Sequence, residues 1–115
     1  MANTFKNASS KSVNHSAFET LYTCPAATTA IILGLALTNK TSSAVNVSVQ
    51  MIDSSASGSA ADKERLLLNE VVIPANTTLE VLAGQKYVLE ATDILKVKAG
   101  TTTSLDAVLG LMQIT

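Results

Sequence analysis

Tryptophan is absent from this chain, and its four aromatic rings, Phe5, Phe18, Tyr22 and Tyr87, are spread far apart. No platform of rings for stacking bases or sugars is legible in such spacing. Histidine occurs once, as His15, and cysteine once, as Cys24. A single cysteine makes no intrachain disulfide, so no oxidising compartment is implied. His15 has no HxxH or HExxH partner, which excludes a histidine-based metal site within one chain. Charge is sparse too: 15% of residues are charged and the net charge is −1, against about 25% charged in an average domain. Nucleic-acid binding needs clustered Lys and Arg, and Lys96 with Lys98 is too little for that. The five glycines are isolated, so there is no glycine-rich loop for phosphate. The longest apolar run, Ala30 to Leu37, falls far below the roughly 20 residues of a membrane-spanning helix. The opening residues lack the apolar core of a secretory signal. The expectation is a protein made and kept in a cytoplasm, or freed only by lysis, with neither membrane nor nucleic acid as partner.

What the chain does have is aliphatic bulk and hydroxyls. Its 115 residues are 47% hydrophobic, which suits one ordinary domain with one core and is incompatible with disorder. With so few rings, that core must be built from Leu, Val, Ile and Ala. Polarity comes from 26 serines and threonines. A near-neutral, hydroxyl-rich surface is prone to self-association, and it suits a subunit that works packed against others.

From Phe18 onward the apolar residues alternate with period two, the spacing of strands. Ala44–Met51 is the clearest case, with Val45, Val47, Val49 and Met51 on one face and Asn46, Ser48 and Gln50 on the other. Thr29–Thr38 is read with Ile31, Leu33, Leu35 and Leu37 inward and Ile32, Gly34 and Ala36 outward. That outer face is too apolar for free water and calls for cover. Asn39–Ser43 has the length of a hairpin connection, and Ser54–Ala61 the composition of a loop tip. Further strands are expected at Phe18–Thr23, Arg65–Ile73, Thr78–Leu82, Tyr87–Leu89, Ile94–Ala99 and Leu105–Ile114. Turn signals such as Pro74-Ala75-Asn76 and Ala83-Gly84-Gln85 separate several of them. Arg65–Glu70 also carries good helix formers, but the β-branched Val71-Val72-Ile73 tail favours a strand. The sum is an all-β chain, a single β-sandwich of jelly-roll or Ig-like type, with about eight short antiparallel strands in residues 17–115. Residues 1–16 are polar and small, with Phe5 and Val13 the large apolar exceptions after Met1, and are read as an extended N-terminal docking arm.

Chemistry is hard to find. Catalysis by side chains needs a nucleophile, base or metal beside its partners. His15 reads as an exposed residue of the arm, and Cys24, before Pro25, as a small buried hydrophobe. The carboxylates are scattered over strand ends and turns. Five Asn-x-Ser/Thr sequons, at Asn7, Asn14, Asn39, Asn46 and Asn76, follow from the composition and imply no glycosylation in a chain without a secretory signal. No catalytic residue, cofactor or metal site is expected, and no enzyme.

Several segments together resemble the small virion structural proteins of tailed bacteriophages, nearest to those of contractile-tailed cyanophages. Leu21–Ala26, LYTCPA, is similar to the LYT-x-PA opening of that group. The similarity continues in Ile31–Asn39, Val45–Val49 and Asp106–Ile114. Its fullest stretch is Val71–Ala99, VVIPANTTLEVLAGQKYVLEATDILKVKA, and Met1–Lys11 is also similar. Two departures stand out: Thr92-Asp93 where Gly-Asp is usual, and Cys24 where an apolar residue is usual. The resemblance implies a non-enzymatic structural role in a virion assembled in the host cytoplasm, with no catalytic residues to transfer.

Within a particle, the first expectation is a capsid decoration (cement) protein that binds and stabilises the outside of the head. A tail, neck or fibre-attachment subunit is the alternative. A host-glycan adhesion module comes third, since neither exposed aromatics nor a carboxylate cluster is legible. The expected partners are the major capsid protein, or tail and neck proteins, of the same virion. Cement proteins are often trimers, so a homo-oligomer, a trimer first, is expected. The residues expected at the assembly interface are Phe5, Lys6 and Val13 of the arm, Ile32 and Ala36 of the first long strand, and Val108, Met112 and Ile114 of the last.

Overall fold

The computed structural model describes residues 2–82 and 85–115. Among these residues there are nine strands: β1 (Asn3–Ser10), β2 (Glu19–Thr23), β3 (Thr29–Asn39), β4 (Val45–Ile52), β5 (Glu64–Ile73), β6 (Thr78–Glu80), β7 (Tyr87–Leu89), β8 (Ile94–Ala99) and β9 (Leu105–Ile114). A single 3₁₀ turn (Ala61–Lys63) precedes β5. No helix among the described residues is long and apolar enough to cross a membrane. All eight strands read from the alternation are present. The turn expected at Ala83-Gly84-Gln85 falls mostly outside the described residues.

Every pairing is antiparallel, and the strands form two sheets. The first has the order β1-β9-β3-β6, with β7 also paired to β3; the second has the order β2-β8-β4-β5. The logic is that of one long hairpin rolled up. β4 pairs with β5, β3 with β6 and β7, β2 with β8 and β1 with β9, and the roll closes through β3·β9 and β4·β8. With β6 and β7 taken as one interrupted strand, this is the eight-stranded jelly roll, which decides between the two sandwich types left open by the sequence.

Consecutive strands therefore mostly change sheets, and β3 and β4 are not a hairpin. The segment Asn39–Ser43 is a corner between layers. Asn39 is fully buried there. Its amide nitrogen donates to the carbonyls of Ser43, Ile73 and Pro74, and its Oδ1 accepts from the amide and hydroxyl of Thr41. An asparagine can satisfy both the incoming and the outgoing backbone at such a corner.

The core between the sheets is aliphatic, as the composition requires. Leu35 and Leu37 of β3 and Leu105, Leu109 and Leu111 of β9 face Val47 and Val49 of β4 and Leu95 and Val97 of β8. Aliphatic side chains on two inner faces interdigitate with few voids.

Two further readings of the sequence are corrected by the backbone. Residues 3–10 are not a free arm: all eight pair in register with β9, from Asn3↔Ile114 to Ser10↔Ala107. An edge strand can be held by its ladder alone, so it needs no apolar alternation, and its polar side chains then look like those of a linker. Beyond it, Val13 is only 1% exposed and sits in the core, its amide donating to the carbonyl of Leu105. The second correction concerns phase. The β3·β9 register shifts between Ile32 and Gly34, a β-bulge at Leu33 that moves the inward set by one residue. Ala30 and Ile32 point into the core and Ile31 out of it, while Leu35 and Leu37 keep the expected inward direction.

Candidate assembly face and a polar trough

The outer face of the first sheet is where the expected interface residues gather. Cross-strand partners share a face, so the registers place side chains directly. Phe5 of β1 lies opposite Met112 of β9, Met112 opposite Ile31 of β3, and Ile31 opposite Val88 of β7. This makes one apolar row across four strands. A second row runs from Val108 to Ala36, and Ile114 ends β9 on the same side. Phe5 is 73% exposed, Val88 55% and Val108 53%. Contiguous apolar surface of this kind marks a contact site more often than it marks bare surface. Four strands about 4.8 Å apart and ten residues of about 3.3 Å each give the whole face, polar positions included, roughly 600 Å², against the ~800 Å² that a partner contributes to an ordinary interface.

Five of the eight expected residues, Phe5, Ala36, Val108, Met112 and Ile114, therefore share this face. The other three do not. Val13 and Ile32 are core residues for the reasons given above. Lys6 pairs with Leu111, whose side chain points inward, so the lysine is on the opposite side of β1 from Phe5. Ile31 and Val88 belong to the face and were missed. For Ile31 a signal existed, since a glycine inside a strand, here Gly34, often marks a bulge.

The β3 bulge is itself built into this surface. The Leu35 amide would be left without a ladder partner, and the Glu80 carboxylate accepts it at 2.9 Å. Glu80 faces Ala36 across the β3·β6 pairing and so sets a negative border on the apolar rows.

The second sheet presents a different outer face. Its floor is Ser48 and Gln50 of β4, its near wall Phe18 and Lys98, and its far wall the edge strand β5, which together enclose a trough of about 580 Å³. A smaller extension of about 220 Å³ leads past Asn46 to His15. Lys98 lies 5.9 Å from the centre of the Phe18 ring. β5 is irregular beside the floor, with register shifts on both sides of Val49. Glu70 has φ of +52° there, and its amide donates to the Ser48 hydroxyl at 2.9 Å.

The other candidate groups take structural roles. Cys24 is buried, with Sγ 3.3 Å from the Thr28 carbonyl and 3.6 Å from that of Leu89. Burial pushes its thiol pKa up, which disfavours the reactive thiolate. The folded protein should resist thiol reagents, and Cys24→Ala should lower stability by only about 1 kcal/mol; rapid labelling of the native protein by a chromogenic disulfide would show the site open.

The carboxylates that read as scattered partly converge, since oxygens of Asp53, Glu90 and Asp93 lie within 4.8 Å of one another. Asp93 accepts from the amide and hydroxyl of Ser54 and from the amide of Glu90. Asp53 accepts from Ser55. These bonds account for Asp53 and Asp93 as turn architecture.

Asp106 forms the one ion pair among the described residues, 2.8 Å from Lys40, and also accepts from the Ser12 amide. The Lys40 hydrogen bond first, then the Ser12 amide, holds its carboxyl below the ordinary 3.8. A depressed carboxylate pKa adds stability above the ordinary value, and that stability is lost as pH falls through the folded one. Stability should therefore decline below about pH 4 by no more than about 1 kcal/mol from this group, because the pair is solvent-exposed. Asp106→Asn should flatten that part of a denaturant-derived stability curve.

No protein-family model matches the chain, and no curated protein shows significant similarity to it.

Proposed function

We propose that this chain is a non-enzymatic structural subunit of a phage particle, a capsid decoration (cement) protein that stabilises the outside of the head. The observation that carries the reading is the apolar outer face of the first sheet, where Phe5, Met112, Ile31 and Val88 align across four strands. A working surface of this kind asks for a protein partner, and the near-neutral composition suits a chain held in an array. The resemblance of the sequence to small phage virion proteins supplies the particle. The partner is then the major capsid protein, with copies of this chain arranged as a trimer over subunit junctions.

Counting copies per purified particle by quantitative mass spectrometry tests this. A ratio to the major capsid subunit near one, or a simple fraction of it, supports decoration of the head. A few to a few dozen copies would transfer the chain to the neck, tail or fibres, and absence from the particle would overturn the structural role.

A further inference from the structure

We infer that the free edge of β1 pairs antiparallel with the β1 of a second copy, joining two first sheets into one continuous sheet with Phe5 on the two-fold axis. The inference stands apart from the assembly role. It uses the edge of the sheet and leaves the apolar face open, and in an array of trimers it would tie one trimer to the next.

The two sheets have four edges: β1 and β6 with β7 in the first, β2 and β5 in the second. Three of these are broken up. β5 carries register shifts on both sides of Val49, β2 shifts between Thr20 and Tyr22, and β6 and β7 are three residues each. Short or bulged edges are poor templates for another strand. β1 is different. Its eight residues keep one unbroken register with β9, and residues 3–7 are all exposed, on both faces of the strand.

The ladder shows which backbone groups of β1 are free. Ala2 and Thr115 exchange both backbone hydrogen bonds, and in an antiparallel ladder such pairs alternate with pairs that exchange none. The even-numbered residues of β1 therefore turn their N–H and C=O groups toward β9. The odd-numbered ones, Asn3, Phe5, Asn7 and Ser9, turn theirs to the open side. A row of this kind is a ready template for an added strand.

Side chains choose the occupant and the register. Pairing β1 with its own copy through these groups brings odd residues opposite odd ones, so the outer faces of both copies lie on the same side. Centred on Lys6, the pairing would set lysine against lysine, a directly opposed like-charge pair. Centred on Asn7, it would set Phe5 against Ser9. Centred on Phe5, it brings ring beside ring, sets Lys6 against Thr4, and lets Asn3, Phe5 and Asn7 of each copy exchange backbone bonds with the other. The apolar row of Phe5, Met112, Ile31 and Val88 then runs unbroken through both copies. Two outer faces joined in this way present roughly 1,200 Å². That exceeds the ~800 Å² that a partner contributes to an ordinary interface, which one face alone does not reach. A two-fold contact is also the commonest closed symmetry of identical subunits.

Sedimentation of the intact protein over a concentration series, with amide hydrogen exchange at its lowest and highest points, tests the pairing. A dimer is expected to appear as concentration rises, and the amides of Phe5 and Asn7 to gain protection with it. Those of Thr4, Lys6 and Ala8 should be protected throughout. Asn7→Pro removes an N–H that β9 does not use, so the fold should persist, yet association should weaken roughly tenfold or more. Phe5→Ser, at a side chain 73% exposed, should weaken it by roughly tenfold as well. A chain that stays monomeric to about millimolar concentration would overturn the pairing and leave the edge to a strand of another protein. Association without protection of the Phe5 and Asn7 amides, or unchanged in both variants, would place the contact elsewhere and overturn it too. Each of these failures leaves the copy count per particle, and with it the proposed role, untouched.

Discussion

Placing aspartate at both Val108 and Met112 is expected to leave the sandwich folded and, on the proposed role, to keep the chain out of the phage particle. Both side chains point away from the core, and Val108 is already 53% exposed, so little burial is lost within the domain. In an interface the same change sets two carboxylates against an apolar partner. Burying an unpaired charge costs several kcal/mol, and each 1.4 kcal/mol is about a tenfold change in occupancy. Incorporation should therefore fall by roughly a hundredfold or more, with a melting curve within a few degrees of the parent. Circular dichroism and copies per particle read the two halves of the result separately. Normal incorporation of this variant would move the contact to another surface.

The largest effect on stability is expected from Asn39→Ala. The substitution removes three donated and two accepted hydrogen bonds made by a fully buried side chain at a corner whose partners are partly exposed. Stranded buried carbonyls and amides cost about 1–3 kcal/mol each when no water reaches them, and some will find other partners. A loss of about 3 kcal/mol, or roughly 10 °C in melting temperature, follows for a domain of this size. Asn39→Asp should do no better, because it keeps the accepted bonds but brings a carboxylate against three carbonyls. A denaturant titration measures both. A loss below about 1 kcal/mol for the alanine variant would show that the corner is held by its backbone alone.

The failures of sequence reading have specific physical origins. Strands that bury one face, such as β4 and β9, announce themselves, because water on one side and core on the other impose period two. β1 carries no such imprint: it hangs on the edge of β9 by its backbone, and its side chains answer mostly to solvent. β3 misled in its first half because alternation holds back from Leu37 and Leu35 only as far as the extra residue at Leu33. Of the five expected residues that share the outer face, Ala36, Val108, Met112 and Ile114 were legible as apolar residues facing the wrong way for a core, and Phe5 as an apolar residue in a polar segment. The jelly-roll order was not, since nothing local in Asn39–Ser43 distinguishes a corner from a hairpin except the burial of one asparagine. The trough lay furthest from view. Gln50 is plainly an outward polar residue in the pattern of β4, but its burial depends on the bulged β5 and on Phe18, 32 positions earlier in the chain.

The position of β1 also has a mechanical side. Ala2 and Thr115 exchange backbone hydrogen bonds of 3.3 and 3.0 Å, and β1 runs antiparallel to β9 from that point. A tension that draws the two chain ends apart would load this ladder one rung at a time, like a zip opened from its tab. A load entering through the flat of the sheet would instead be shared by all the rungs at once. The fold is therefore compliant when gripped by its ends and stiff when gripped by its face, which favours mounting it as a tile over stringing it as a link.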